Sequence, residues 1–388
     1  MLNFTHSIPT TVYFGKDQVK AIGPELKNHA NKILIVTGQG NVKKNGIFNA
    51  VIKEIQKAKV QYVELSGIMP NPRLKSVYKG IEICRKEDVD FVLAVGGGSV
   101  IDAAKAIACG VEYKKDVWDF FIKKATVTEA LPVGTVLTLA ATGSEMNGNS
   151  VITKEEGKRK LAVGSRFLRP VFSVLDPTYT YTVNKYHTAA GVVDIMVHVF
   201  EQYFSHTKNA DVQDRIAEGL LKVCIKYGPV VCENPKNYNA RANILWAGSL
   251  ALNDLIGEGK EEDWASHAIE HELSAVYDIS HGAGLAIIAP NWMRHVLSEH
   301  TADKFVEYGV NVWNIKKQRP KMKIAGEAIN KTREFFNILG MPASLKEVKI
   351  TDKHFEGMAK NAMKDWKKIG SFKKLTEKGI SGILKASL

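Results

Sequence analysis

Short apolar runs alternate with helical patterns through the first half of the chain, and this alternation limits the possible folds more than any other feature. The predicted strands cover residues 33–37, 61–65, 91–95, 133–139 and 171–175. Most are continuous apolar runs, as a parallel sheet covered on both faces requires. The helical patterns between them cover residues 46–57, 73–87 and 99–109. Together they predict a doubly wound, Rossmann-like α/β domain.

Strand signals stop near residue 184. Before that point, three further β-rich segments indicate extra strands at an edge of the sheet: 12–14, 151–153 and 160–163. Beyond it, long helical patterns cover residues 189–205, 210–227, 239–255, 264–277, 301–312 and 322–339. We therefore expect an α/β domain at 1–184 and an all-helical domain at 185–388.

Cysteine spacing and hydropathy limit where the protein can work. The cysteines lie far apart and form no C-x-x-C pair: Cys84, Cys109, Cys224 and Cys232. That spacing favours reduced thiols in a cytosol over a disulfide or thiolate-metal framework. No apolar run approaches the roughly 18 residues of a membrane span, and no signal peptide is visible at the start of the sequence. We expect a cytoplasmic protein without a membrane partner.

Basic residues outnumber acidic ones by 53 to 41, which gives a formal net charge of +12. Such a charge can attract nucleic acid, or it can attract a small anion such as a phosphorylated cofactor. A denser lysine patch at 364–374 indicates a solvated helical face. No helix-turn-helix or zinc-finger element accompanies it, so we expect no nucleic-acid partner.

A glycine-rich turn joins a predicted strand to a helix in V-L-A-V-G-G-G-S-V-I-D-A-A-K. Gly97, Gly98 and Ser99 allow close approach of an anion, and the helix N-terminus offers free N–H groups and a positive dipole end. A pyrophosphate is the natural occupant. Asp102 is placed to cap the first turn or to bind a ribose hydroxyl. A tight turn without a ligand is the alternative interpretation.

Small hydroxyl residues follow the next buried strand in L-T-L-A-A-T-G-S-E, which spans residues 137–145. Thr138, Thr142 and Ser144 offer contacts for a phosphate or a nicotinamide. A turn whose backbone groups are satisfied internally is the alternative.

The first long strand ends in T-G-Q-G-N-V-K-K, which contains Gly38 and Gly40. An acidic side chain near this position binds the adenosine ribose in dinucleotide sites and repels a 2′-phosphate. No carboxylate is present here, and Lys43 and Lys44 follow closely. The loop therefore slightly favours NADP(H) over NAD(H).

Asp194 and His198 lie four residues apart in the helical segment G-V-V-D-I-M-V-H-V-F-E, so they share one helix face. Their neighbours are apolar, so a bound cation would lie among apolar side chains with little water. Burial of an unpaired aspartate there would cost free energy. An Asp–His hydrogen bond that supports the core is the alternative.

Three histidines, His267, His271 and His281, fall within W-A-S-H-A-I-E-H-E-L-S-A-V-Y-D-I-S-H-G. This segment lacks the glutamate of the H-E-x-x-H metalloprotease motif. One aspartate with two or three histidines would form a nitrogen and oxygen site for Zn²⁺ or Fe²⁺, with a position left for substrate. Spacing does not tell which histidine stays off the metal.

These segments together resemble the iron-dependent (group III) alcohol dehydrogenases, especially the branch of bacterial butanol dehydrogenases and broad-specificity aldehyde reductases. The resemblance runs from F-T-H-S-I-P-T-T-V-Y-F-G-K near the start to the last helices. Besides the segments quoted above, it includes M-P-N-P and V-L-D-P-T-Y-T-Y-T. So many motifs in one order make chance a poor explanation.

The resemblance implies roles for individual residues. Four residues match the metal ligands of the family: Asp194, His198, His267 and His281. It places His271 near the substrate and off the metal, as a candidate proton relay. The cofactor contacts that it implies are Gly38, Gly40, Asn71, Gly97, Gly98, Ser99, Asp102, Thr138, Leu139, Thr142, Ser144, Lys160 and Tyr179. The last two match positions that line the nicotinamide side.

The implied activity is the interconversion of short-chain primary alcohols, such as butanol, with their aldehydes. A divalent ion, Fe²⁺ or Zn²⁺, would polarise the aldehyde, and NAD(P)H would supply hydride. The resemblance also implies a dehydroquinate synthase-like architecture and a homodimer. A cyclase of the dehydroquinate synthase type is the alternative function, but it requires basic and polar groups for a phosphate where this sequence is apolar.

Overall fold

The computed structural model describes residues 1–365 and 369–388, so part of the predicted lysine patch at 364–374 lies outside the described residues. The described chain forms two compact units. The α/β unit comprises residues 7–184 and 235–249, and the helical unit comprises 1–6, 185–234 and 250–388. Residues 1–6 and 235–249 thus group differently from the predicted division at 184.

All strands among the described residues belong to the α/β unit. They are β1 (Thr11–Phe14), β2 (Lys32–Gly38), β3 (Gln61–Ile68), β4 (Phe91–Gly96), β5 (Val133–Leu137), β6 (Asn149–Lys154), β7 (Arg159–Gly164) and β8 (Phe172–Leu175). Among the described residues, six of them form a sheet in the order β1-β8-β5-β4-β2-β3. Every neighbouring pair in it is parallel.

The helices that precede residue 184 account for the burial of both sheet faces. They are α1 (Ile22–His29), α2 (Asn41–Lys44), α3 (Ile47–Ala58), α4 (Leu74–Lys86), α5 (Gly98–Glu112) and α6 (Trp118–Phe121). Ile33 and Ile35 of β2 pack in one apolar core with α1 and α3. Leu34 and Val36 alternate with them and pack in a second core with α4 and α5. Because successive side chains of a strand point to opposite faces, such a strand reads as a continuous apolar run.

The segments near 151–153 and 160–163 do form strands, but the predicted place at an edge of the main sheet is wrong. β6 and β7 pair antiparallel with each other in a separate two-stranded sheet. The short connection between them allows a hairpin, which antiparallel strands can form and parallel strands cannot. β1 does lie at an edge of the main sheet, as expected.

The remaining helices are α7 (Lys185–Tyr203), α8 (Asp211–Glu233), α9 (Tyr238–Ala251), α10 (Ala265–Tyr277), α11 (His281–Val296), α12 (Ala302–Asn311), α13 (Lys321–Ile338), α14 (Phe355–Asp365) and α15 (Glu377–Ala386). Most of α9 groups with the α/β unit. The sequence patterns did not predict α11, which is buried along most of its length and contains Pro290. A helix that is apolar all round has no amphipathic period to detect.

Within the described residues, none of the helices is both long enough and apolar enough to cross a membrane.

Candidate functional site

Three helices of the helical unit bring the predicted metal ligands together. Asp194 and His198 lie one turn apart on α7, His267 lies in the first turn of α10, and His281 begins α11. Gly282 allows the close approach of α11 to α7, because a Cβ there would lie 2.1 Å from a backbone oxygen of α7. We call these residues the histidine cluster: Asp194, His198, His267 and His281.

Oδ1 of Asp194 is the atom on which the imidazoles converge. Nδ1 of His198 and Nε2 of His267 each lie 3.7 Å from it, and Nε2 of His281 lies 3.5 Å from it. Hydrogen bonds of the N–H···O type are shorter, about 2.7–3.2 Å. Two ligands of one tetrahedral ion with bonds of about 2.0–2.1 Å lie roughly 3.3 Å apart, which is close to the observed spacing.

The four residues are not equally close to one another. Ligand atoms of Asp194, His267 and His281 all lie within 4.8 Å of one another. His198 falls outside that group of three. It joins the cluster through Asp194 and through its ring, which stacks on that of His267 with centroids 4.6 Å apart.

Buried polar atoms without a hydrogen-bond partner mark this cluster. Among the described residues they include Oδ1 of Asp194, Nδ1 of His198 and Nε2 of His267. Each of these side chains is almost fully buried. Because an unpaired buried polar group costs about 1–3 kcal/mol, three of them around one point are unusual. The cluster therefore presents donor atoms that suit a cation.

Burial and mutual charge shift the pKa values in the cluster. Burial alone would raise the pKa of Asp194, but the imidazoles of His198 and His281 outweigh it and hold that pKa below its usual value. Burial lowers the pKa of His198 to about 3. Burial would also lower the pKa of His267, but contacts with Asp194 and Glu201 raise it to about 9. An ionised carboxylate and a neutral His198 are the forms that bind metals.

His271 lies one turn beyond His267 on α10 and is buried. Its ring centroid is 5.7 Å from that of His281. Ligand atoms of Glu270, His271 and His281 form a second group within 4.8 Å of one another. The structure thus places His271 beside the cluster, and both groupings contain His281.

Two buried glutamates that hydrogen-bond to the histidine rings were not predicted from the sequence. Oε1 of Glu201 accepts a hydrogen bond from Nδ1 of His267 at 2.9 Å. Oε2 of Glu270 accepts one from Nδ1 of His281. Glu201 lies seven residues after Asp194, so the helical spacing that linked Asp194 to His198 also pointed to it.

The two predicted cofactor loops meet in the α/β unit. Gly98 begins α5, and a Cβ at this glycine would lie 2.3 Å from Oγ1 of Thr142. A Cβ at Gly97 would lie 3.3 Å from Cβ of Leu139. The N–H of Thr138 donates to the backbone oxygen of Gly96 at 3.0 Å. The glycines therefore let the 138–144 loop pack against the N-terminus of α5, whose first N–H groups have no partner inside the helix.

Lys105 is fully buried and bonds to the loop that follows Thr142. Its Nζ donates to the hydroxyl of Ser144 at 2.9 Å. It also donates to the backbone oxygens of Asn147 and Asn149, at 2.8 and 2.9 Å. The sequence analysis did not single out Lys105, although it lies in the same helix as the predicted site residue Asp102.

Asp102 joins the same network. Its carboxylate accepts from the hydroxyl of Ser144 at 2.6 Å and from the N–H of Val151 at 3.0 Å. Burial raises the pKa of Asp102, although Lys105 opposes the shift, and burial lowers the pKa of Lys105 to about 7. We call these residues the lysine cluster: Asp102, Lys105, Ser144, Asn147 and Asn149.

Gly38 ends β2, and Gly40 has a left-handed backbone, with φ 104°, that favours glycine. Lys43 follows in α2, and its Nζ pairs with Oε2 of Glu64 at 2.6 Å. A carboxylate therefore does lie beside this loop, but it comes from β3, a neighbouring strand.

Three other predicted cofactor residues also lie in the α/β unit. Asn71 is buried and has a left-handed backbone, with φ 51°, just before α4. Lys160 is buried in β7. Tyr179 is half-buried, and burial raises the pKa of its hydroxyl to about 12. Ser99, in the first turn of α5, is half-buried as well.

Comparison with known proteins identifies the family. Residues 9–177 match the family described as iron-containing alcohol dehydrogenase. Residues 188–388 match the Fe-containing alcohol dehydrogenase family, C-terminal. The chain belongs to the iron-containing alcohol dehydrogenase family. The family and the enzyme class that the motifs predicted are thereby confirmed.

Relatives in this family match the whole chain. The NADH-dependent butanol dehydrogenase A of Clostridium acetobutylicum is 50% identical over 388 residues, which is 100% of each chain. The NADPH-dependent aldehyde reductase YqhD of Escherichia coli is 39% identical over 350 residues, 89% of each chain. The crystal structure of NADH-dependent butanol dehydrogenase A from Thermotoga maritima has a TM-score of 0.96 at 38% identity, and it covers 100% of this chain and 99% of that one. The predicted fold class is confirmed.

Proposed function

We propose that this member of the family is a metal-dependent, NAD(P)H-linked alcohol dehydrogenase that works largely as an aldehyde reductase. The observation that carries the proposal is the convergence of three buried, unpaired donor atoms on one point of the helical unit. A metal-free core would leave these atoms unsatisfied, whereas a divalent cation would use all of them. We propose Asp194, His198, His267 and His281 as its ligands.

The donor set is one carboxylate oxygen with imidazole nitrogens, which suits either Fe²⁺ or Zn²⁺. The second grouping, with Glu270 and His271, fits less well because the Glu270 carboxylate already accepts hydrogen bonds from Ser274 and His281. We therefore propose that His271 stays off the metal. When bound, such an ion supplies Lewis-acid polarisation of a carbonyl oxygen.

We propose that the α/β unit binds a nicotinamide cofactor, which would supply the hydride when bound. The N-terminus of α5, with Gly97, Gly98 and Ser99, suits a pyrophosphate. We propose further contacts from Gly38, Gly40, Asn71, Thr138, Leu139, Thr142, Lys160 and Tyr179. Asp102 and Ser144 bond to each other inside the lysine cluster, so we give them the indirect role of fixing the loop.

For the choice of cofactor, we propose that both NADH and NADPH are accepted. The glycine loop after β2 has no carboxylate of its own that would repel a 2′-phosphate. The slight preference for NADP(H) that follows from this sequence feature stays a prediction. Two observations favour NADH: Lys43 is already paired with Glu64, and the relative at 50% identity is named NADH-dependent.

For the substrate, we propose short-chain primary alcohols and their aldehydes, such as butanol and butanal. The names of the relatives support this class. Reduction of an aldehyde also requires a proton for the product oxygen. His271 is buried beside the histidine cluster, and an imidazole has one N–H donor and one acceptor nitrogen with which it can pass on a proton. We propose it as the proton relay.

Metal analysis joined to kinetics tests the proposal. The purified protein should contain about one Fe²⁺ or Zn²⁺ per chain and should reduce butanal, with NADH and NADPH assayed side by side. His267→Ala should lose both the metal and the activity. Undiminished turnover by a metal-free His267→Ala protein would overturn the proposed site.

The remaining proposals concern the setting of the enzyme. The four cysteines are all buried and none forms a disulfide within the described residues, which supports a reducing, cytoplasmic location. We propose a homodimer, since β1 is an edge strand of the main sheet and edge strands can pair with another chain. The division into a cofactor domain, 1–184, and a metal domain, 185–388, also stays a proposal.

A further inference from the structure

Two glutamates in the helical unit are almost fully buried and each bonds to a ring of the histidine cluster. Glu201 is 1% exposed and Glu270 is 0% exposed. We propose that both are positioning residues, which fix the ring orientation and tautomer of two metal ligands. The inference rests on the proposed metal site and adds to it a second layer of residues that determines metal affinity.

The tautomer follows from the chemistry of the partners. A neutral imidazole has one N–H donor and one acceptor nitrogen, and an ionised carboxylate only accepts. The hydrogen bonds to Glu201 and Glu270 therefore place the protons of His267 and His281 on Nδ1. In this neutral tautomer, which metal binding requires, each Nε2 carries the lone pair. Both Nε2 atoms are the ones that lie near Oδ1 of Asp194.

Glu201 fixes the main chain of α10 as well as the ring. Its Oε1 accepts from the backbone N–H of His267 at 2.9 Å, in addition to the ring. Its own backbone oxygen accepts from the N–H of Asp263 at 2.8 Å. Because Glu201 shares the helix face of Asp194 and His198, α7 supplies two ligands and also orients a third on α10.

Glu270 orients His281 of α11 in the same way. It lies one turn after His267 on α10, and its second oxygen, Oε1, accepts from the hydroxyl of Ser274. Gly284 leaves room for it, since a Cβ at this glycine would lie 2.8 Å from Cγ of Glu270. A bulkier residue at 284 would displace the carboxylate from His281.

The expected consequence is a change in metal affinity. A carboxylate behind a ligand histidine raises the basicity of that ligand and holds its ring in place, and loss of such a partner typically weakens metal binding about 10–100-fold. Because both glutamates lie behind ligands, either single substitution should show the effect.

Cobalt titration of the metal-stripped protein provides the test. We would compare wild type, Glu201→Gln and Glu270→Gln by visible absorption of bound Co²⁺ and by competition with a chelator. Glutamine keeps the size and the acceptor oxygen but removes the charge. We expect about 10–100-fold weaker Co²⁺ binding and an altered absorption spectrum in each variant.

Glu218→Gln is the matched control. Glu218 is a buried glutamate of the same unit that accepts from Tyr203 and Asn311, so its replacement should leave Co²⁺ affinity and spectrum unchanged. Circular dichroism would verify folding of each protein. If a glutamine variant does not fold, the aspartate variant at that position keeps the charge but withdraws the carboxylate by one methylene, and it should also bind Co²⁺ at least about tenfold more weakly.

Wild-type affinity and an unaltered spectrum in the folded variants would overturn the inference. Failure of wild type to bind Co²⁺ is a different result, since it would overturn the proposed metal site itself.

Discussion

Lys105 and Asp194 are both buried charged side chains, one in each unit, and their surroundings differ. The ammonium of Lys105 donates to oxygens of Ser144, Asn147 and Asn149. Oδ1 of Asp194 has three imidazole nitrogens around it, all at 3.5–3.7 Å, and no hydrogen-bond partner among the described residues. The lysine cluster forms hydrogen bonds among its own polar groups, whereas the histidine cluster contains buried polar atoms without a partner among the described residues.

We interpret this difference as the one between a structural network and the proposed metal site. Buried polar groups cost free energy unless they are paired, so natural cores pair nearly all of them. The lysine cluster fixes the 144–149 loop against α5. In the proposed function, a metal ion satisfies the unpaired atoms of the histidine cluster. Substitutions should therefore reduce stability in the first cluster and activity in the second.

His198→Leu should give the largest effect. Turnover of butanal should fall about 10⁴-fold, because a Lewis acid contributes several kcal/mol and 1.36 kcal/mol is tenfold in rate. The free energy of unfolding of the metal-free protein should be unchanged or raised, since the substitution removes an unpaired polar atom. Steady-state kinetics and urea denaturation measure the two quantities. A large loss of metal-free stability would contradict the comparison.

Lys105→Met should show the opposite pattern. Removing the ammonium leaves the carboxylate of Asp102 buried without its cation, which typically costs about 3–5 kcal/mol. Urea denaturation followed by circular dichroism measures the loss, and the protein that stays folded should still bind its metal. Lys53→Met, at an exposed site on α3, is the matched control and should change stability by less than about 0.5 kcal/mol. Equal stability of the two variants would contradict the account.

Gly98→Ala tests the packing of the two cofactor loops. The new Cβ would meet Thr142 at 2.3 Å, so we expect a loss of about 1–3 kcal/mol in stability. Cofactor affinity, measured by fluorescence titration with NADH, should weaken because the N-terminus of α5 is displaced. Gly219→Ala is the control, since a Cβ there meets nothing within 4 Å in the middle of α8. Equal NADH binding in both variants would contradict the proposed site.

The pH dependence of stability gives the smallest predicted effect. Burial lowers the pKa of Lys105 to about 7 in the folded chain, whereas an unfolded lysine has a pKa of about 10.4. Between these values the unfolded chain binds the extra proton, so the free energy of unfolding should rise with pH, by at most about 1.36 kcal/mol per unit.

Denaturation curves of wild type and Lys105→Met from pH 7 to 10 measure this contribution as a difference. In the variant, the free energy of unfolding should lack the part of the rise with pH that Lys105 contributes. Parallel curves for the two proteins would show that Lys105 keeps its proton.

Much of the fold was predictable because both faces of the main sheet are covered. Buried strands such as β2 and β4 are continuous apolar runs, and the amphipathic helices α3 and α4 have a clear period. That contrast is absent in some of the elements that the sequence did not predict or placed wrongly. α11 is buried almost throughout, and β6 and β7 are short strands whose partners depend on tertiary pairing.

The sequence could group the candidate ligands because the four-residue spacings of Asp194 with His198 and of His267 with His271 are local properties. The choice of His281 over His271 as a ligand came only from the resemblance to the family. The side chains that hydrogen-bond to these ligands are set by tertiary contacts, which local sequence does not reveal. Glu201 shares the helix face of Asp194, but its hydrogen bond to His267 and that of Glu270 to His281 each join two different helices. Lys105 was missed for the same reason, since a lysine in a helix is usually solvated and its burial depends on the loop packed over it.

Anomalous scattering from crystals of the purified protein, recorded at the absorption edges of iron and zinc, would show whether a metal ion occupies the histidine cluster. We expect one peak enclosed by Asp194, His198, His267 and His281, about 2.0–2.2 Å from the ligand atoms. The absorption edge at which the peak appears should identify the metal as iron or zinc. An active protein whose crystals show no peak at that point, or a peak bound by Glu270 and His271 in place of Asp194 and His267, would contradict the proposed metal site.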